Sequence, residues 1–286
     1  TKTKAIMMAH TLGNPFSLKE VVQLAKKHNL WLIEDCCDAL GSRYNGHLVG
    51  TFGDIATFSF YPAHQITMGE GGAVITNNPL LHRTVRQFRD WGRDCWCDTG
   101  KDNTCRKRFS WKMGDLPLGY DHKYIYSQNG YNLKLTDMQA AIGLAQFKKL
   151  PKFVKTRKAN FEKLYKIFNP YPQFFILSRK LPEAEVCWFG FMVILTSQAP
   201  FTRLDMVSFF EERGIATRSL FAGNLTKHPA FLGRSIKISG KLSNSNTIMN
   251  NGFWIGVYPG VTQQHISYIK SVLAKFLNPY LDHSPK

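Results

Sequence analysis

The sequence predicts an α/β fold: a mostly parallel, helix-covered sheet followed by a smaller α/β lobe. Short apolar runs with the length and composition of strands alternate with segments of helical period up to about residue 90. A long polar stretch interrupts this alternation, and it resumes after a break at Asn169-Pro170-Tyr171-Pro172. Strands separated by helices are joined by crossovers, and crossovers give parallel pairs.

Residues 4–10 form an apolar run that reads as the first strand. Ser17-Leu18-Lys19-Glu20 is a capping box, and Val21, Val22, Leu24 and Ala25 follow at helical spacing. Residues 30–34 read as a buried strand, 55–60 and 72–76 as two further strands, and 80–91 as a helix. Residues 92–132 are polar, rich in Cys, Gly and Asp, and without clear period. A loop of that length is functional or disordered, and Cys95, Cys97 and Cys105 within it favour function. Thr136-Asp137-Met138-Gln139 caps a helix running through Gln146, and another helix spans 152–167. The break at 169–172 divides a large domain, residues 1–168 with the loop 92–132, from a small domain, residues 169–286. In the latter, 188–195 and 216–219 read as strands, and 204–213 and 265–276 as helices.

A chain of 286 residues can bury one large core, or one large and one small. No apolar run reaches the roughly 18 residues that span a bilayer, and no leader pattern is visible. A cytoplasmic enzyme without a membrane partner is therefore expected. Six cysteines are too sparse for a disulfide scaffold and read as ligands or free thiols. The net charge of +17 would suit nucleic acid, but the basic residues are dispersed and no recognition motif accompanies them. No nucleic-acid partner is expected. The densest basic cluster, Arg106-Lys107-Arg108 with Lys112, reads as a solvated loop, or as a patch for an acidic redox partner or a nucleotide diphosphate.

The segment Thr57-Phe58-Ser59-Phe60-Tyr61-Pro62-Ala63-His64-Gln65-Ile66-Thr67-Met68-Gly69-Glu70-Gly71-Gly72-Ala73-Val74 carries the most information. It resembles the cofactor-anchoring stretch of the pyridoxal phosphate sugar aminotransferases of the DegT/DnrJ/EryC1/StrS family. The resemblance runs from Ala5 to about Leu277. It implies a fold type I aminotransferase-like large domain whose N-terminal part, with a phosphate-binding turn, is missing before residue 1. In that family the position of His64 holds the lysine that bonds to the cofactor aldehyde. Imidazole has no primary amine for that bond, but it can take a proton from carbon.

Asp35 ends an apolar strand, where open α/β sheets place ligands, although a strand-end Asp also commonly caps a loop. By resemblance it pairs with the pyridine nitrogen and keeps the ring an electron sink. Ser59 resembles a phosphate ligand; alone, it is a polar residue on a half-buried strand. Asn132, in Gly130-Tyr131-Asn132-Leu133, resembles an asparagine that reaches the phosphate of a neighbouring subunit, which implies a homodimer. Tyr61 reads either as support for the reacting centre or as core packing. Asp38 stands where many relatives place a glutamine near the ring hydroxyl. Thr217-Arg218-Ser219-Leu220-Phe221-Ala222-Gly223-Asn224 resembles a substrate-side loop in which Arg218 would hold a diphosphate. Thr247 departs from the arginine that relatives carry, which bears on nucleotide specificity.

From Cys37 the spacing C-x57-C-x-C-x7-C ends at Cys105. Four thiolates suit a [2Fe-2S] cluster, and zinc also accepts four, though neither common zinc-finger spacing occurs here. Cys36 competes with Cys37 for the first position, and Cys187 reads as a core cysteine. Together with His64, the spacing resembles the family branch of CDP-4-keto-6-deoxyglucose 3-dehydratases, which serve 3,6-dideoxyhexose and lipopolysaccharide biosynthesis. That resemblance implies pyridoxamine 5′-phosphate, a [2Fe-2S] cluster on Cys37, Cys95, Cys97 and Cys105, and a CDP-sugar substrate. It also implies His64 as base and an NADH-dependent flavin and iron–sulfur reductase as partner. The rival readings are a cluster-free histidine dehydratase and a non-catalytic metal-binding fragment. An ordinary aminotransferase would need a lysine elsewhere, with Lys112 and Lys134 the candidates by proximity in sequence.

Overall fold

The computed structural model describes residues 2–98 and 100–281. Thr1, Thr99 and residues 282–286, which the expected domains and loop include, lie outside the described residues. In chain order the main elements are β1 (Ala5–Ala9), α1 (Leu18–His28), β2 (Trp31–Asp35), β3 (Arg43–Tyr44), β4 (His47–Leu48), β5 (Ile55–Ser59) and β6 (Gly72–Ile75). Then come α2 (Pro79–Arg89), α3 (Asp137–Phe147), α4 (Leu150–Phe168), β7 (Phe175–Leu177), β8 (Ala184–Glu185) and β9 (Gly190–Leu195). The chain continues through α5 (Arg203–Glu211), β10 (Thr217–Arg218), α6 (Ser243–Asn251), β11 (Gly252–Gly256) and α7 (Gln263–Leu281). It divides into two units. The first is Thr1–Ala9, Leu18–Cys37 and Gly50–Lys148; the second is His10–Ser17, Asp38–Val49 and Lys149–Lys286.

The first unit is built on a sheet of order β1-β2-β5-β6. β1, β2 and β5 are parallel, and α1 forms the crossover between β1 and β2. β6 pairs antiparallel with β5. The physical reason is the connection: residues 60–71 form only turns, without the helix that a parallel return normally needs. Asn78 caps α2 by accepting from the Leu80 and Leu81 NH groups, with Pro79 opening the helix. The Thr136–Gln139 capping box forms as expected.

The sheet is less covered than a parallel sheet usually is. Leu32, Glu34 and Ala56 alternate onto a buried face, whereas Met7, Trp31 and Val74 are exposed. Residues 30–34 are thus a one-sided strand and not a fully buried one.

The second unit holds an antiparallel sheet of order β10-β11-β9-β7 and a small sheet of order β4-β3-β8. Phe191 and Val193 of β9 and Phe253 of β11 pack with Leu273 of α7 and with Phe161, Leu164 and Phe168 of α4 in one core. Phe161 stacks on Trp188 at 3.7 Å between ring centroids. The boundary expected at residue 168/169 therefore falls one helix late. α4 contributes to the second core, and the division lies at Lys148/Lys149. The Pro-rich break at 169–172 is a turn within the second unit, where Tyr171 NH donates to Phe168 O. Among the described residues, no helix is long and apolar enough to cross a membrane.

Replacing Phe168, which is fully buried, by alanine will cost about 3–5 kcal/mol of stability in urea titration. Lys163→Ala on the exposed side of α4 will change it by less than about 0.5 kcal/mol. Equal losses for both variants would show that α4 is not part of this core.

Candidate active site

The site in the first unit starts at the C-terminal ends of β2 and β5. In the parallel register, Asp35 stands beside Thr57, with Ala9 on its other side. Side chains alternate along a strand, so Trp31, Ile33 and Asp35 share the more accessible face with Thr57 and Ser59. Asp35 Oδ1 accepts the Cys37 NH at 3.0 Å and the Thr57 hydroxyl at 3.5 Å. Among the described residues, Oδ2 receives no hydrogen bond. A strand-end carboxylate with one oxygen uncommitted fits the protonated nitrogen of a pyridine ring. Ser59 Oγ accepts the Tyr61 NH at 3.3 Å, which leaves its own O–H to donate. Its neighbour on β6 is Gly72, where a Cβ would come within 2.7 Å of Phe58 O. That position admits only glycine, which keeps the surroundings of Ser59 open.

His64 lies in the turn that leaves β5. The turn is pinned at Phe60, whose NH donates to Gly71 O at 2.9 Å and whose carbonyl accepts the Met68 NH at 2.8 Å. His64 NH donates to Tyr61 O at 3.0 Å, and the two rings meet edge to face at 6.4 Å. Tyr61 is half exposed, so it is not core packing. α3 braces the following turn, with Gln139 Nε2 donating to Glu70 O at 3.1 Å.

Among its described residues, the loop 92–132 is ordered by polar and aromatic contacts, with a 3-10 turn at His122–Tyr124. Cys95, Cys97 and Cys105 line one small cavity with His122, Arg108 and Lys123. A hydrogen bond from the Thr104 side chain, outweighing partial burial, brings the Cys97 thiol down to about 7, with further help from the Cys105 backbone. Burial pushes Cys95 up. A set of soft sulfur donors with one acidified thiol suits iron–sulfur or zinc binding. Cys37 stands at the end of β2, its sulfur 4.0 Å from Thr57 Oγ1. Cys36 is buried, and burial raises its thiol far above the ordinary range. Arg108 is no solvated cation, because it grips Asp121 through two nitrogens at 2.9 and 2.7 Å.

The remaining residues divide between the units. Asn132 is exposed in the first unit, bridged to Asp90, with Lys134 Nζ on its Oδ1 at 3.2 Å. Lys134 also pairs with Asp90 and sits over the Trp91 ring, which leaves it a poor substitute for a cofactor-bonding lysine. Asp38 is buried in the second unit and accepts the Leu12 NH at 3.1 Å. Arg218 is exposed on β10 and donates to the adjacent Thr217 O. Cys187 is a fully buried core thiol, raised by burial to about 11.

Sequence reasoning did not find Asp94 and His122. Asp94 accepts from Arg83 at 2.7 Å, from Gln87 and from His122 at 2.9 Å. Burial favours the neutral acid, but the His122 and Arg83 bonds outweigh it and hold the carboxyl below its usual range. The available signal was a single histidine and an Asp next to Cys95 in a Trp- and Cys-rich loop.

A depressed folded value means that the stability from Asp94 is present above the ordinary carboxylate range, near pH 4. It is lost as pH falls through the lower folded value. Asp94→Asn will flatten this acid limb, and Asp94→Ala will cost about 3 kcal/mol by leaving buried donors unpaired. Urea titrations from neutral pH down to about pH 3 measure both. An unchanged acid limb in Asp94→Asn would refute the assignment.

Residues 1–274 match the DegT/DnrJ/EryC1/StrS aminotransferase family. The lipopolysaccharide biosynthesis protein RfbH of Salmonella typhimurium is 54% identical over 96% of this chain and 63% of its own length. The dTDP-4-dehydro-2,6-dideoxy-D-glucose 3-dehydratase of Saccharopolyspora spinosa is 50% identical over 96% of this chain and 60% of its own. The chain thus spans about three-fifths of the length of these relatives. The structure of E. coli GDP-4-keto-6-deoxy-D-mannose-3-dehydratase with bound hydrated PLP superposes with a TM-score of 0.82 at 26% identity, over 96% of this chain and 68% of that one. With residues 1–274 matched, this chain belongs to the DegT/DnrJ/EryC1/StrS aminotransferase family.

Proposed function

We propose that this chain is the cofactor- and metal-holding part of a sugar 3-dehydratase. Its substrate is a nucleotide-linked 4-keto-6-deoxyhexose, CDP-4-keto-6-deoxyglucose, and the enzyme uses pyridoxamine 5′-phosphate and a [2Fe-2S] cluster. The observation that carries this reading is an imidazole at the family's lysine position in the same unit as a cavity of three thiols. The naming of two similar proteins as 3-dehydratases supports it.

Asp35 holds the pyridine nitrogen through its uncommitted oxygen, and Ser59 donates to the phosphate. When bound, the cofactor supplies an amine for the C4 ketone and an electron sink that lets the C3 hydroxyl leave. His64 removes the proton from the carbon beside the ring, with Tyr61 next to it. An imidazole suits this step because it exchanges a proton near neutral pH and cannot bond covalently to the aldehyde. Cys37 joins Cys95, Cys97 and Cys105 as the cluster's ligands, and an NADH-dependent flavin and iron–sulfur reductase delivers electrons one at a time. Arg218, exposed and donating to its neighbour's carbonyl, is placed to hold the diphosphate. Asn132 reaches the phosphate of a second copy in a homodimer. Exposed Leu133, Met138 and Leu144 nearby support an apolar face that a second copy covers.

The test uses the parent protein at the full length of its relatives, purified anaerobically. About two iron and two sulfide per chain are expected, lost in Cys95→Ser. His64→Asn will retain the cofactor, and its turnover will fall by about 10²–10⁴-fold. Zinc, or no metal, would overturn the redox reading. Unchanged turnover in His64→Asn would overturn the base.

A further inference from the structure

The thiol cavity contains an imidazole that the reaction above leaves unused. His122 lines it together with Cys95, Cys97 and Cys105. The residue is 1% exposed, its Nε2 lies 2.9 Å from Asp94 Oδ2, and its Nδ1 is buried without a hydrogen-bond partner. Trp111 Nε1, in the ring stacked on His122 at 5.1 Å, is likewise buried and unpartnered. Buried polar atoms are nearly always satisfied. Two orphans beside a sulfur-lined cavity point to a group that binds there.

The ring cannot swing away. Trp111 covers its face, and Trp96 meets it edge to face at 5.2 Å. Asp94, which anchors Nε2, is itself held by Arg83 and Gln87. A ring fixed through one nitrogen by a carboxylate is how proteins aim the other nitrogen at a metal centre. The reading above already supplies four thiolate ligands, so Nδ1 has a sulfur to address and not an iron.

We propose that His122, aimed by Asp94, is a positioning residue of the metal centre: through Nδ1 it donates a hydrogen bond to a sulfur of the bound cluster and so sets how readily the cluster is reduced. The Asp94 carboxylate at Nε2 holds the ring in the orientation that this bond requires. Reduction adds negative charge to the sulfurs, which strengthens such a bond and favours the reduced state. The proposal rests on the cluster reading.

The test compares wild type, His122→Phe and His122→Gln in the parent protein, reconstituted anaerobically with iron and sulfide. The readouts are metal content, visible spectrum and redox titration. His122→Phe should keep its iron and sulfide, and its reduction equilibrium should move about tenfold toward the oxidised state, the scale of one charge-assisted hydrogen bond. His122→Gln, which retains a donor, should fall between the two, and it carries the comparison if the phenylalanine variant does not fold. An unchanged equilibrium in a variant with an intact cluster would overturn the proposal. So would loss of iron from His122→Phe with retention in Cys37→Ser, because His122 would then be a ligand. Wild type that binds no iron would remove the cluster reading, and this proposal with it, whereas an unchanged equilibrium with an intact cluster overturns this proposal alone.

Discussion

A buried carboxylate fixes the floor of the site. Glu34, fully buried on β2, accepts the NH groups of Gly50 at 2.8 Å, Phe52 at 2.8 Å and Gly53 at 2.7 Å. Left uncompensated, such a charge would cost several kcal/mol, so the bonds hold residues 50–53 to one course. Gly53 lies so close to β2 that a Cβ would come within 2.6 Å of Leu32 O. Asp54 completes the clasp, its carboxylate accepting the Leu32 NH at 2.8 Å and its NH donating to Leu32 O. The chain therefore enters β5 in a single register, with Asp35 beside Thr57. A slip of one residue would turn Thr57 and Ser59 to the opposite face and dismantle the site.

How far the sequence could be read follows from the range of the interactions. The strands through Ala5–Ala9, Trp31–Asp35 and Ile55–Ser59 carry local apolar signals, and the Thr136–Gln139 box is a four-residue pattern, so both were readable. Asp35 is singled out by its place at a strand end, and Ser59 and His64 by one motif. β6 reads as a strand, but its direction depends on what residues 60–71 do, and no local pattern gives that. α4 ends beside a Pro-rich break that looks like a domain boundary. Its allegiance is decided by Phe161, Leu164 and Phe168 meeting β9 and β11 partners far along the chain. The strand at Gly252–Gly256 went unread because glycines bracket it, yet it is central in its sheet. Glu34 was hidden for a related reason: an acidic residue in an apolar strand shows its role only when the NH groups of a distant turn appear around it.

The cysteine loop shows how a segment without periodicity becomes ordered. Its order comes from paired charges and stacked rings and not from an apolar face. Arg108 with Asp121, Lys123 with Asp102, and Asp94 with His122 close its internal spans, and Arg83 of α2 ties Asp94 to the helix before it. Trp96, Trp111 and His122 pack together, and Arg83 lies over Trp96 at 4.7 Å. Exposed ion pairs contribute little individually, so the buried Asp94 network carries more of the order than Lys123–Asp102 does. The consequence is chemical. The thiols are gathered on a scaffold that is polar next to them and fixed one layer behind, which is what a metal centre needs to hold its geometry through a change of charge.

On the proposed reading, His64 stands where relatives carry a lysine, in a turn held by several backbone bonds. Phe60 pins the turn through backbone bonds to Gly71 and Met68, and His64 itself closes the turn with its backbone NH on Tyr61 O. None of these backbone bonds uses the side chain at position 64. On the proposed reading, the difference between a lysine and a histidine there is chemical. A primary amine can capture the cofactor aldehyde, whereas an imidazole at the same place can only pass a proton. On the proposed reading, one family fold hosts both transamination and dehydration. What decides between them is then the side chain at position 64, on a turn pinned by backbone bonds and braced by Gln139.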